Sequence, residues 1–234
     1  MTLRDLVLFE DHIPAGTAPI YLPAGDRAIY VRSGGVGVAD EGGSRFLWAG
    51  SAITAEQELT LLSDAEDTVL WRWELADHVD VDVDALCFRS APAAANRCLL
   101  RSTCDLDDRH TWLMRCDTVT FPPGGVALTH LHQGPGIRVV QEGEITIETE
   151  GTTKTYVPGE AWAEKGVLPV FAPAAEDRET VFVRCFVLPR AVIGSSSIRI
   201  VRPEDRAKPN TQSYRILAER IMARARPRAI VGFR

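Results

Sequence analysis

The stretch THLHQGPGIRVVQEGEITI, Thr129 to Ile147, decides how the rest of the chain is read. It places His130 and His132 two residues apart, follows them with a Gly134-Pro135-Gly136 kink, and continues through Arg138 into a segment where Ile145 and Ile147 alternate with Glu144, Thr146 and Glu148. A period of two is the signature of a half-buried strand. Residues two apart on a strand point to one face, so the spacing puts both imidazoles together. Two neutral imidazoles side by side suit Fe, Mn, Ni, Cu or Zn. An acid/base pair and a polar sheet edge are the competing readings.

Outward from this stretch the chain repeats itself, and repeats constrain architecture early. YLPAGDRAIYVRSGGVGV resembles TFPPGGVALTHLHQGPGIRVVQEGEITI, LWAGSAITAE resembles YVPGEAWAEK, and AEDTVLWRWEL resembles AEDRETVFVRCFVL. Gly34 aligns with Gly143 and Gly50 with Gly159, both at an offset of 109, and Thr68 aligns with Thr180 at 112. Matching Gly25 to Gly124 gives an offset of 99, which places ten extra residues around the two histidines of the second copy. On this reading both copies share one scaffold, and only the second carries the histidine pair.

Short apolar runs separated by Gly and Pro turns predict an all-β chain of the barrel or sandwich type. GVGVADEGGSRFLWAG reads as a hairpin turning near Glu41-Gly42-Gly43. Trp71 and Trp73 flank Arg72 and read as barrel filling. The linker aspartates Asp77, Asp80, Asp82 and Asp84 lack the Gly and Glu of a calcium loop and read as an exposed strand or linker. Near the end, Tyr214, Leu217, Ala218, Ile221 and Met222 fall at helical spacing, with Pro209 before them and Pro227 after, which predicts a short C-terminal helix.

Bulk composition narrows the function. The chain has 234 residues, 45% hydrophobic and 25% charged, with a net charge of −6. That balance gives no nucleic-acid footprint. The apolar runs are too short to span a bilayer, and the charged start MTLRDLVLFEDHIPAG predicts no signal peptide, hence a cytoplasmic location. Five cysteines without C-x-x-C spacing read as buried thiols. GGVGVADEGG lacks the spacing of a dinucleotide loop, and IGSSSI lacks the context of a nucleophile elbow.

The order Gly124, His130, His132, Gly143, Pro158, Gly159 resembles the two motifs of the cupin superfamily, and the duplication resembles a bicupin over roughly residues 15 to 190. The resemblance implies two double-stranded β-helix (jelly-roll) barrels: an N-terminal cupin-like barrel over 1–95 without a metal motif, a C-terminal cupin barrel over 96–195 with the His-x-His motif, and a helical extension over 196–234. It also implies a metal-dependent enzyme, dioxygenase-type in the first instance, on a small organic acid or aromatic compound. A metal-free isomerase or cyclase and a non-catalytic small-molecule-binding bicupin are the alternatives. Two ligand positions depart from the cupin pattern. Gly136 stands where a Glu ligand is usual, and GEAWAEKGVLPVFA offers Pro169 and no histidine.

Glu164 is the replacement, since it shares a face with Trp162 two residues earlier. His130, His132 and Glu164 would then hold a divalent transition metal, with Gln133 a weak fourth ligand or outer partner. Pairing of Glu164 with Lys165 or Arg138 is the competing reading. Arg138 could clamp a substrate carboxylate or pair with a glutamate, Glu164 could instead be a catalytic base, and Trp162 could stack a planar ligand or fill the core. Gln133, Arg138 and Trp162 are thus the substrate-binding candidates. The expected partners are a small-molecule substrate and a second copy of the chain, with dimer contacts through β faces or the C-terminal helix.

Overall fold

The computed structural model describes residues 2–78, 86–88 and 90–223. Asp80, Asp82 and Asp84 of the linker, and the arginines beyond residue 223, lie outside the described residues.

The first half contributes β1 (Thr2–Ile13), β2 (Ile20–Leu22), β3 (Asp26–Ser33), β4 (Gly35–Asp40), β5 (Gly43–Trp48), β6 (Ala52–Ala55), β7 (Leu59–Ser63) and β8 (Thr68–Asp77). The second contributes β9 (Ala95–Leu106), β10 (Trp112–Phe121), β11 (Val126–His132), β12 (Gly136–Glu142), β13 (Ile145–Thr149), β14 (Thr152–Tyr156), β15 (Ala161–Glu164), β16 (Val170–Pro173), β17 (Thr180–Pro189), β18 (Ile198–Ile200) and β19 (Ser213–Ile221). They form four antiparallel sheets, β6-β3-β8-β1-β9 with β2-β7-β4-β5, and β15-β12-β17-β10-β19 with β14-β13-β16-β11-β18. Strand for strand the second pair of sheets repeats the first and adds only β18. The chain is all-β, and the hairpin turn at 41–42 lies where the sequence places it.

Glycines mark the repeat in the backbone. Gly34 and Gly143 have φ of +75° and +71°, and a Cβ at either would lie within 2.5 Å of a backbone oxygen, of Asp67 and Glu179 respectively. Only glycine meets both conditions. Gly16 and Gly124 both have φ of +68°, and their N–H groups donate to Asp64 and Ala175, just past β7 and β16. Gly124 therefore corresponds to Gly16, not Gly25, and the ten-residue insertion expected from the sequence is absent. From Gly16 to Gly34 is 18 steps and from Gly124 to Gly143 is 19. The second copy does not insert the histidines; it replaces apolar residues by them. Leu22 pairs with Leu59, the first residue of β7, and His130 pairs with Val170, the first residue of β16.

The predicted C-terminal helix is corrected by β19, a strand hydrogen-bonded to β10 from Leu113↔Ile221 to Thr120↔Ser213. Its counterpart β9 runs along β1 in the same way. The open edge of β10 supplies unpaired N–H and C=O groups, and pairing with them outweighs helical spacing. Both faces of β19 are partly covered, which blurs the period of two. Leu217 joins the core between the barrels, and Arg220 forms ion pairs with Asp26 and Glu56 of the first barrel.

Three cores result. One fills the first barrel, around Ile20, Leu22, Ile29, Leu61 and Phe88. Another fills the second, around Phe121, Ile147, Trp162 and Phe182. The third joins the barrels and contains Trp71, Trp73, Cys116 and Cys185. The paired tryptophans thus share a face as expected, but that face is the seam between barrels, and Arg72 points to the opposite side. Cys104, Cys116 and Cys185 are buried thiols as expected, whereas Cys98, on the edge strand β9, is exposed and Cys87 is half-buried.

Candidate functional site

The ends of β11, β12, β15 and β17 surround a small cavity, about 20 Å³, lined by His130, His132, Arg138, Trp162, Glu164 and Arg184 among others. That is room for one or two water-sized groups. The strand spacing does what the sequence predicts for β11: both imidazoles point inward, each 5% exposed. Arg138 also points inward and is 1% exposed. The Gly-Pro-Gly kink serves backbone approach, because a Cβ on Gly134 would lie 2.1 Å from the Val187 carbonyl oxygen. It lets β12 run against β17 and does not clear space beside the histidines.

His130 Nδ1–H donates to the Leu128 carbonyl at 2.7 Å, which leaves its Nε2 without a proton in the neutral ring. The two Nε2 atoms approach to 3.2 Å, and His132 Nδ1 lies 3.2 Å from Ser197 Oγ. A hydroxyl can donate or accept, so Ser197 accommodates either tautomer of His132. Ring nitrogens about 2.1 Å from one ion stand about 3.0–3.4 Å apart at octahedral to tetrahedral angles, and the observed separation falls in that interval. Outer Nδ1 partners of this kind orient metal-binding imidazoles.

Glu164 Oε2 lies 3.5 Å from His132 Nε2 and 2.8 Å from Arg138 Nη2, while Trp162 Nε1–H donates to Oε1 at 2.8 Å. The competing sequence reading, a Glu164–Arg138 ion pair, is therefore realised. The carboxylate is also within reach of the imidazoles. Among the described residues no three His, Cys, Asp or Glu side chains stand as a ready metal cluster. The pair of nitrogens fits a divalent ion, and Glu164 could complete the set by releasing Arg138.

Sequence reasoning passed over Arg184. Its guanidinium pairs with Asp117 (Nε–Oδ1 2.5 Å, Nη2–Oδ2 3.2 Å), and both it and Arg138 lie on the Phe186 ring, at 4.7 and 4.6 Å. Its signal was the arginine at the fifth position of two corresponding ten-residue strands, Arg72 in β8 and Arg184 in β17. Gln212, between β18 and β19, also lines the cavity. Gln133 does not: its Oε1 accepts from Arg199 at 3.0 Å outside the chamber, because the kink that follows turns it away. Trp162 lines the wall but packs on Tyr156 and Phe182, the core role.

Charge follows from this packing. Burial pushes both imidazoles below the usual histidine range. His132 is driven well below it, with Arg138 and Arg184 acting in the same direction. At His130 Glu164 opposes the shift. Burial also lowers the Arg138 guanidinium to about 10, against the pull of Glu164. The chamber therefore gathers two guanidinium side chains, two imidazoles held neutral at neutral pH, and the carboxyl groups of Glu164 and Asp117.

Two barrels of matching strand order, each closed by two antiparallel sheets, decide the fold. It is a bicupin. Solved structures agree at low identity. AerE from Microcystis aeruginosa is 13% identical with a TM-score of 0.56, over 77% of this chain and 87% of that one. A variant oxalate decarboxylase from Bacillus subtilis is 11% identical with a TM-score of 0.55, over 77% and 68%. The 11S allergen from Cocos nucifera is 9% identical with a TM-score of 0.54, over 81% and 83%. No family profile matches the sequence, and no curated protein matches it. The chain thus shares a fold with an oxalate decarboxylase and with a protein named as an allergen, and fold alone does not choose between chemistries. Among its described residues no helix is long and apolar enough to cross a membrane.

Proposed function

We propose that the second barrel is an enzyme chamber for a small organic acid, with a divalent metal held by His130, His132 and Glu164. The observation that carries this is the joint burial of two guanidiniums and two neutral imidazoles on one cavity. Buried guanidiniums are costly unless an anion meets them; Arg184 has Asp117, and Arg138, once Glu164 turns to a metal, needs another carboxylate, which its planar fork suits. Arg138 orients the acid over the Phe186 ring. Arg184, fixed by Asp117, supplies positive potential, and the apolar walls exclude water. The imidazoles stay unprotonated, as ligands or bases must. A metal bound there would supply Lewis-acid or oxygen-activating chemistry. The similarity to an oxalate decarboxylase fold points to the same class of acid, though at 11% identity it names no substrate.

The Arg138–Glu164 contact favours a second reading, a metal-free isomerase in which the imidazole pair moves a proton. Elemental analysis separates the two. About one Fe, Mn, Ni, Cu or Zn per purified chain, lost on His130→Ala, supports the metal enzyme. Full activity in the metal-free protein overturns it. Oxygen uptake on addition of a turned-over acid tests the dioxygenase-type reaction, and its absence during turnover rules that reaction out.

A further inference from the structure

Among the described residues, five buried side-chain polar atoms have no hydrogen-bond partner: Trp73 Nε1, Arg138 Nη2, Glu164 Oε2, Gln212 Oε1 and Arg220 Nε. Three of the five belong to residues lining the one small cavity of the second barrel. Arg138 Nη2 and Glu164 Oε2 are close enough for a charge contact, yet their alignment falls short of a hydrogen bond. Unsatisfied buried groups are rare in folded proteins, and three at one place call for a missing partner. The partner's chemistry follows from them. Arg138 lacks an acceptor, and Gln212 and Glu164 each lack a donor.

Gln212 is held where it is by its neighbours. Thr211 Oγ1 accepts from the Val126 N–H at 2.7 Å and donates to the Val126 carbonyl at 2.9 Å, and Ser213 begins the pairing of β19 with β10. The backbone at Gln212 is thereby held between two anchored neighbours, and its side chain lines the cavity together with Ile198.

We infer that the chamber takes a small hydroxylated carboxylate, whose carboxylate meets Arg138 and whose hydroxyl donates to Gln212. This rests on the organic-acid reading above and sharpens it. An ammonium group in place of the hydroxyl would face two guanidiniums and the apolar Val119, Phe121 and Phe182. A neutral O–H supplies the donor without adding a third cation. The small free volume restricts the acid to two or three carbons, and its carboxylate takes the place that opens where Glu164 releases Arg138. Gln212 is then a specificity residue, because a site built to bond a hydroxyl rejects the analogue that lacks it.

Calorimetric titration of the purified full chain with matched acids tests this. Glycolate should bind about ten-fold or more tightly than acetate, and lactate than propanoate. Gln212→Leu should bring each ratio close to one by weakening only the hydroxylated member. Gln212→Asn, a smaller change, serves if the leucine variant loses its circular-dichroism signature. Equal binding of glycolate and acetate to the native chain would overturn the hydroxyl assignment and leave the carboxylate reading standing, and so would ratios unchanged by either variant. A preference for pyruvate over lactate would mean that the amide presents its N–H₂, and would also overturn the assignment. Arg138→Met should abolish binding of every acid; undiminished acetate binding there, or no binding of any acid to the native chain, overturns the organic-acid reading itself.

Discussion

The two barrels carry the same strand order and opposite interiors. In the first, Arg72 bonds Asp11 through Nε at 2.7 Å and Glu74 through Nη1 at 2.7 Å, Arg27 closes on Glu74 at 3.0 Å, and Asn96 donates to Asp11 at 2.6 Å. In the second, Arg184 also pairs with an aspartate, but Asp117 stands where Phe9 faces Arg72, and the seventh residue of the strand changes from Glu74 to Phe186. A phenyl ring replaces a carboxylate. Arg138 and Arg184 share that ring, and the balancing charge comes from Glu164 on a different strand. Leu22, deep in the first core, gives way to His130. The first barrel is a closed, satisfied ion network inside an apolar shell. The second leaves polar atoms without partners. One scaffold therefore supports a structural barrel and a reactive one, and the difference lies in whether its buried charges are saturated within the protein.

That comparison can be broken at several points. The largest effect is expected at Arg72→Met, which strands Asp11 and Glu74 in the first core and should destabilise the chain by about 3–5 kcal/mol, read as a fall in urea midpoint. Little change would mean that the network is not what holds this barrel. His130→Ala should act on function with far less effect on the fold, lowering metal affinity by about 100-fold or more by competition with a chelator. Glu164→Gln should cost about ten-fold in affinity or activity; a neutral outcome would confine Glu164 to its ion pair with Arg138.

The barrels should also answer acid differently. The two imidazoles have folded pKa values below their unfolded ones, so the unfolded state binds more protons between those values. Their contribution to stability is present above about pH 6.5 and is lost as pH falls, by at most about 1.4 kcal/mol per pH unit for each ring. Chelator-treated protein should therefore begin to weaken below about pH 6.5, and replacing both histidines by Phe should remove that slope. In the first barrel, burial raises the Glu10 carboxyl, but hydrogen bonds from Arg97 and Trp71 outweigh it and hold the group at about 2. Its contribution is lost only as pH falls from about 4.5 towards 2. A single transition unaffected by the histidine substitutions would collapse the distinction.

The smallest effect on the site is expected from the outer sheets. In the first barrel Tyr21, Phe46, Trp48 and Leu62 are exposed on β2, β5 and β7, whereas the matching edge strand β14 of the second reads TTKTY. A polar, lysine-bearing edge resists association and an aromatic one invites it. We propose that the first barrel's face forms the homodimer; the C-terminal segment, being a strand on β10, supplies no helical contact. Sedimentation should give a dimer that Trp48→Glu dissociates without altering ligand binding, and a native monomer at high concentration would rule it out.

The sequence by itself determined the duplication, the all-β class, the hairpins and the convergence of His130 with His132, because strand periodicity and turn glycines act locally. It also singled out Arg138 and Glu164 as occupants of one wall. Three things needed the tertiary structure. The register of the repeats depended on pairing Gly124 with Gly16, since several glycines fit the string equally well and only backbone hydrogen bonds choose. The fate of residues 213–221 depended on an open strand edge over a hundred positions earlier, which no local spacing encodes. The chemistry of the chamber depended on Arg184, Phe186 and Gln212, ordinary residues in their own segments. They become functional candidates only where β17 and the segment of Gln212 bring their charge, ring and amide to the imidazoles, because long-range packing decides which buried groups find partners and which are left for a ligand.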